Sequence, residues 1–331
     1  MKTHIELPLA ETPYTTLHNH GALAGVFHQN PSLRNFHLSR SVRLCCTRQF
    51  LEGYTSPKVN VLYGDFTCNP HIERMRHDMR FLGTNVHLLI RRLLSSGYYV
   101  VYTDIDDFYV PGKTFYHERH FPHDGMIYGY DMNRKTYLVY AYDKDWRYSC
   151  FETPQSGFER GRRAAMRDGK FGIIWGLKAR DTQIDFSLAE VKEHIRLNLE
   201  SRLSDYPLDD PREVYGSATH DFIGMYLDKL YDGSIAYEYM DWRVFRMVWE
   251  HKKFMHERIL RIEDTLSIPH TYSEDYLPLV ESANKMRMLY AAHHRKRRDS
   301  LLPGIKNTLL AVKKDEERIL SNLLEKMEVL S

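Results

Sequence analysis

His123 and Asp143 stand at opposite ends of a stretch that reads as a β-hairpin. Asp124 to Tyr130 is apolar, Asp131-Met132-Asn133 turns, and Thr136 to Tyr142 returns. In an antiparallel hairpin the start of one strand lies beside the end of its partner, so these two side chains are expected to meet. A carboxylate beside an imidazole fixes its tautomer and stabilises its charged form, which is how a general base is oriented. The same pair can serve as a structural contact at a sheet edge, and spacing alone does not separate the two roles.

The surrounding residues add a resemblance. Gly97-Tyr98-Tyr99-Val100-Val101-Tyr102 is followed by Asp106-Asp107-Phe108-Tyr109-Val110-Pro111, and then by His120-Phe121-Pro122-His123-Asp124-Gly125-Met126-Ile127-Tyr128-Gly129-Tyr130-Asp131. With the strand Tyr137 to Asp143, these runs resemble the middle of the butirosin H N-terminal family, papain-like cysteine-protease-fold proteins of natural-product gene clusters. A weaker likeness, through Asp241-Trp242-Arg243 and Glu250-His251-Lys252, links the helical half to tails found on some members. The resemblance implies His123 as base and Asp143 as its orienter, with Asn19, Asp107 and Tyr109 near the substrate. That substrate would be an acyl or peptidyl group on the phosphopantetheine of a carrier protein, passed to an amine, hydroxyl or water. The expected class is an acyltransferase or thioesterase-like enzyme.

The sequence departs from this pattern at the nucleophile. The family's cysteine belongs near the start of the first helix, but Leu17-His18-Asn19-His20-Gly21-Ala22-Leu23 contains none. Asn19 or His20 takes its place. Three readings follow: His20, His123 and Asp143 form an altered catalytic set; Cys45 or Cys46 supplies the thiol; or the scaffold binds a carrier protein or biosynthetic partner without catalysis. Adjacent Cys45 and Cys46 also read simply as small core residues.

Other clusters carry less. Asp104, Asp106 and Asp107 lack the spacing of a calcium loop and read as a solvated rim. The basic runs His293 to Arg298 and Arg160 to Arg167 read as solvated faces, and each also as a surface for an acidic carrier protein or its phosphate. No metal-ligand spacing and no glycine-rich phosphate loop is present, so neither cofactor nor metal is expected.

Composition sets the frame. The 331 residues are 43% hydrophobic and 13% aromatic, with 23 tyrosines and a formal charge of +2. That suits a folded globule and gives no general argument for a nucleic-acid or membrane partner. A homodimer stays open. Cysteines at 45, 46, 68 and 150 form neither a disulfide framework nor a zinc knuckle and read as reduced thiols. The segment Met1 to Thr16 has no apolar core of a signal peptide, and no run approaches a membrane span, so a cytoplasmic protein is expected.

The elements that must hold these residues follow from periodicity. Helices are expected over Thr16–Phe27, His37–Leu51 and Pro70–Ser95, and strands over Lys58–Phe66, Tyr98–Tyr102 and Phe171–Leu177 around the hairpin. Beyond about Thr182 the pattern is helical, over Leu188–Leu203, His220–Tyr231, Met240–Thr265, Tyr276–Leu301 and Asn307–Leu330, with breaks at Pro207 and Pro211. The expected fold is α+β: a papain-like domain over residues 1–185, with a helix and an antiparallel sheet, then a helical domain over 186–331.

Overall fold

The computed structural model describes residues 2–203 and 212–330; Pro207 and Pro211 lie outside them. The chain begins with β1 (His4–Glu6), α1 (His18–Gly21), α2 (Leu23–Gln29), α3 (Leu33–Arg40), β2 (Leu44–Thr47), β3 (Asn60–Val61), β4 (Ile72–Asp78), α4 (Val86–Ser95) and β5 (Tyr99–Asp106). There follow β6 (Pro122–Asp131), β7 (Thr136–Tyr142), β8 (Tyr148–Pro154), α5 (Gln155–Arg167) and β9 (Ile173–Ala179). The last part holds α6 (Leu188–Leu199), β10 (Glu213–Tyr215), α7 (Ala218–Tyr231), α8 (Arg243–Leu266), α9 (Thr271–Lys296) and α10 (Leu302–Leu330). The protein is thus mixed α+β, an antiparallel sheet plus a helical C-terminal region. Among the described residues no helix is long and apolar enough to cross a membrane. It divides into two compact units, Met1–Arg34 with Asp65–Ile184, and Asn35–Gly64 with Asp185–Ser331.

The first unit is built on a seven-stranded sheet in the order β4-β9-β5-β6-β7-β8, with β1 added to β6. Its central strands read as continuous apolar runs because both faces are covered. Val100 and Tyr102 of β5 face a core with Val86, Ile90 and Leu93 of α4 and Phe158 of α5. Tyr99 and Val101 face the other way, onto Ala22, Leu23, Val26 and Phe27. On that second side Gly21 and Gly25 fall one helical turn apart. A Cβ on Gly21 would lie 2.3 Å from the Tyr148 ring, and one on Gly25 2.4 Å from the Tyr99 ring. The glycines let α1 and α2 sit directly on tyrosine faces.

Two expected helices turn out to be mixed. Over Pro70–Ser95 the first part is β4, paired with β9 from Ile72↔Ala179 to Asp78↔Ile173. Ile72 and Met75 mimic helical spacing, but the pairing along all of β4 wins over local periodicity. The Asp78 carboxylate then accepts from the Arg80 N–H, Gly83 takes φ +54, and the helix starts only at Val86. Over His37–Leu51 the helix ends at Arg40, where the buried Arg258 guanidinium donates to the carbonyls of His37, Leu38 and Ser41. Cys45 and Cys46 then pair with Tyr215 and Val214 of β10 as a strand.

The second unit packs α7 to α10 around a core that contains a polar knot. Lys252 of α8 donates to Glu316 of α10 at 2.5 Å, Tyr276 of α9 also donates to Glu316, and His220 Nε2 of α7 lies 3.8 Å from it. All four side chains are buried. Burial pushes the Glu316 carboxyl up, but Lys252 and the neighbouring histidines outweigh it and hold it at about 2. Burial lowers His220 to about 4 and His251 to about 3, so both rings are neutral at pH 7.

Candidate functional site

His123 lies near the start of β6, and its ring is held from both sides. Nδ1 is 3.1 Å from Asp107 Oδ2, and Nε2 is 3.3 Å from Nε2 of His18. An ionised carboxylate only accepts, so Nδ1 carries the proton toward Asp107. In the neutral ring Nε2 is then a lone pair, which accepts from the Nε2–H of His18. The His123 side chain keeps 20% of its surface exposed, while Asp107 is buried. This is the arrangement of an oriented general base with a proton donor facing it.

The elements explain the pairing. β5 and β6 are antiparallel, with Ile105 opposite His123. An extra residue in β5 shifts the register between Tyr102 and Ile105, and Asp104 takes φ +54 there. This bulge re-aims the strand end. Asp107 lies two residues beyond Ile105, diagonally across from His123, and its N–H donates to Phe121 O at 3.0 Å. His18 is the first residue of α1, on the helical face that carries Gly21. The Tyr142 hydroxyl donates to the carbonyls of Thr15 and Thr16 at 2.8 and 3.2 Å, fixing the chain just before His18.

The expected pairing of His123 with Asp143 is corrected by this geometry. The β6–β7 pairs run from Asp131↔Thr136 only as far as Met126↔Tyr140. Past them Thr114 donates to the Asp143 carbonyl at 2.9 Å. The Asp143 carboxylate turns into its own loop, accepting from the N–H groups of Asp145 and Arg147 at 2.8 and 2.9 Å and from the Ser149 hydroxyl at 2.7 Å. Burial pushes its carboxyl up, but these hydrogen bonds outweigh that and leave it lowered. Asp143 therefore closes the β7–β8 turn, and Asp107 takes the orienting place.

His20 is also corrected: it is buried beside Tyr14 at 5.4 Å between ring centroids, and the histidine brought to His123 Nε2 is His18. Asn19 is exposed on α1. Of the acidic rim, Asp106 and Asp107 are buried and Asp104 is half-buried. Asp106 accepts from the N–H groups of Phe108 and Phe121 and pairs with His120 Nδ1 at 2.6 Å.

Behind Asp107 stands Lys113, with Nζ 3.6 Å from its Oδ1 and donating to Asp124 O at 3.1 Å. Burial lowers the Lys113 ammonium, and Asp107 and Asp124 oppose that shift. Burial raises the Asp124 carboxyl. Tyr142 and Tyr148 cover His18 with ring centroids 5.5 Å away.

The remaining candidates separate from this cluster. Tyr109 lies under the Arg160 guanidinium, which stands 5.7 Å from the Tyr109 ring centroid, and lines a pocket with it. Cys45 and Cys46 are buried, and burial pushes the Cys46 thiol to about 12 and Cys45 higher still, so neither is a ready thiolate. His293 is buried within its basic run. Among the described residues no group of three or more His, Cys, Asp and Glu side chains could hold a metal ion. No protein-family model matches the chain, and no similar curated protein is found.

Proposed function

We propose that the protein moves or hydrolyses an acyl group held as a thioester, or a related amide or ester, on a carrier protein in natural-product biosynthesis. The observation that carries this reading is the His123 ring held between Asp107 and His18. The acceptor's O–H or N–H displaces the His18 N–H from His123 Nε2, which then removes its proton as the acceptor atom bonds to the acyl carbon. The C–S bond then breaks, and the leaving thiolate takes the proton back from the imidazolium. Asp107 stabilises the imidazolium, with Lys113 as the carboxylate's counter-charge. His18 stands near the place that the resemblance gives to a cysteine, which supports a papain-like fold in which base catalysis replaces the thiolate. A cytoplasmic setting fits a carrier-protein substrate.

The test presents acylated carrier protein to the wild type, His123→Ala and Asp107→Asn, and follows acyl release alongside complex formation. Turnover should fall in both variants while the complex persists. A second reading, a binding scaffold without catalysis, is favoured by the cover of Tyr142 and Tyr148 over the buried His18. Equal, slow acyl release in all three proteins, with binding intact, would select it.

A further inference from the structure

Helix α5 presents an arginine-rich wall that the proposed catalysis does not use. Its buried face carries Gly157 and Gly161. A Cβ on Gly157 would lie 2.6 Å from the Tyr109 carbonyl oxygen, and one on Gly161 2.8 Å from that of Asp106. The helix therefore rests on the turn that carries Asp107 and Tyr109. Its other face, with Tyr109, Gly83 and Met166, lines a pocket of about 620 Å³ with Arg160, Arg162, Arg163 and Arg167. That volume lies in the usual range for small-molecule sites.

The charges in this pocket are unbalanced. No carboxylate is among the described residues that line it. Glu159 next to it takes two bonds from Arg162, at Nε and a terminal nitrogen, but only the Nε bond of Arg163. Among the described residues Arg160 and Arg167 have no acidic partner, and both are exposed. Arg160, Arg163 and Arg167 recur at helical spacing, so their guanidinium groups share one face. Exposed aromatic side chains stand close to these residues in sequence: Phe81, two residues before Gly83, is 82% exposed and Phe171, four after Arg167, is 45% exposed, and Arg80 contacts both rings. Guanidinium groups bind phosphate through paired N–H donors, and several of them match a dianion better than a single carboxylate.

We propose that this pocket binds a phosphate ester, with Arg160 and Arg167 gripping the phosphate, Arg163 assisting through its terminal nitrogens, and the organic part lying against Tyr109. The site stands on its own chemistry; only the identification of the ester as phosphopantetheine rests on the function proposed above.

The test is calorimetric titration of the full chain with inorganic phosphate, with AMP against adenosine, and with phosphopantetheine against pantetheine. At least one phosphorylated member should bind roughly tenfold tighter than its counterpart, and more weakly as salt rises. Arg160→Ala and Arg167→Ala should each weaken it about 3- to 30-fold, and the double variant should erase the preference. Both positions are exposed, and circular dichroism checks that the variants fold. Equal binding within both pairs, binding of bare phosphate alone, or an unchanged Kd in the double variant would each overturn the proposal. A preference for AMP would support the site while detaching it from carrier-protein chemistry. The readout is binding, so it stands whether or not His123 turns over a substrate.

Discussion

The sheet unit and the helical unit each hold a knot of histidine, carboxylate and lysine. In the sheet unit His123, Asp107 and Lys113 come from a strand start, a turn and a loop, and the His123 ring keeps a fifth of its surface open. In the helical unit Lys252 and Glu316 project from the middle of long helices, His220 comes from the first turn of α7, and all three are buried. The residue types are nearly the same. A strand end can meet a substrate and exchange a proton with it, whereas a helix centre can only tie neighbours together. Placement on the elements, and not residue type, marks the sheet knot as the candidate for chemistry.

The widest test of this contrast is turnover. His123→Ala should lower acyl release by roughly 10²–10⁴-fold while leaving stability within about 1 kcal/mol. Asp107→Asn should follow in the same direction, because an amide can hold the wrong imidazole tautomer. A loss in melting temperature that tracks the loss in rate would erase the contrast.

Next comes Glu316→Ala, which leaves the Lys252 ammonium buried and unpaired and should cost about 3–5 kcal/mol of stability in denaturant titration. Replacing both partners, as Lys252→Met with Glu316→Leu, should recover most of that cost. If the single change is harmless, the helical knot is not structural.

Acid should sharpen the comparison at the scale of a few kcal/mol. His220 and His251 have native pKa values of about 4 and about 3, below the ordinary 6.5. The unfolded chain takes up protons first, so their neutral burial favours the native state above pH 6.5. That advantage is lost as pH falls from 6.5 toward 4, at about 1.4 kcal/mol per ring for each pH unit crossed. Denaturant midpoints across this range should fall with pH, and a flat profile would contradict the burial of the two rings.

The smallest effect belongs to Asp143→Asn. It should cost about 1 kcal/mol through the β7–β8 turn and leave turnover within about twofold. A large loss of turnover would restore Asp143 to the catalytic set.

Much of the framework was legible in the sequence. The β5 strand, the β6–β7 hairpin and the helices beyond Leu188 follow from β-branched content, turn residues and helical periodicity. His123 was reached through its strand position. Its partner does not follow from that position, because the β6–β7 ladder stops at Met126 and the pairing that matters is with β5 across a bulge that no local pattern announces. The Asp106-Asp107 run directly after an apolar strand was the available signal. His18 carries no mark in the sequence beyond the helical face it shares with Gly21. β4 is hidden by apolar residues at helical spacing, and α5, rich in arginine and glycine, reads as a basic run because its buried face is mostly glycine and alanine, with Phe158 its one large apolar residue.

The tyrosine hydroxyls have a consequence for handling the molecule. Tyr130 donates to the Lys2 carbonyl at 2.9 Å, Tyr99 to that of Pro8, and Tyr142 to those of Thr15 and Thr16. The leading segment is stitched to the sheet at three points, the last of them just ahead of His18. Trimming those residues, or letting a protease nick them, would strip acceptors from partly or fully buried phenols and loosen the anchor of the His18 ring. A fusion at the front of this chain therefore needs a flexible spacer that leaves β1 seated, and limited proteolysis there would report on the site as well as on the edge of the fold.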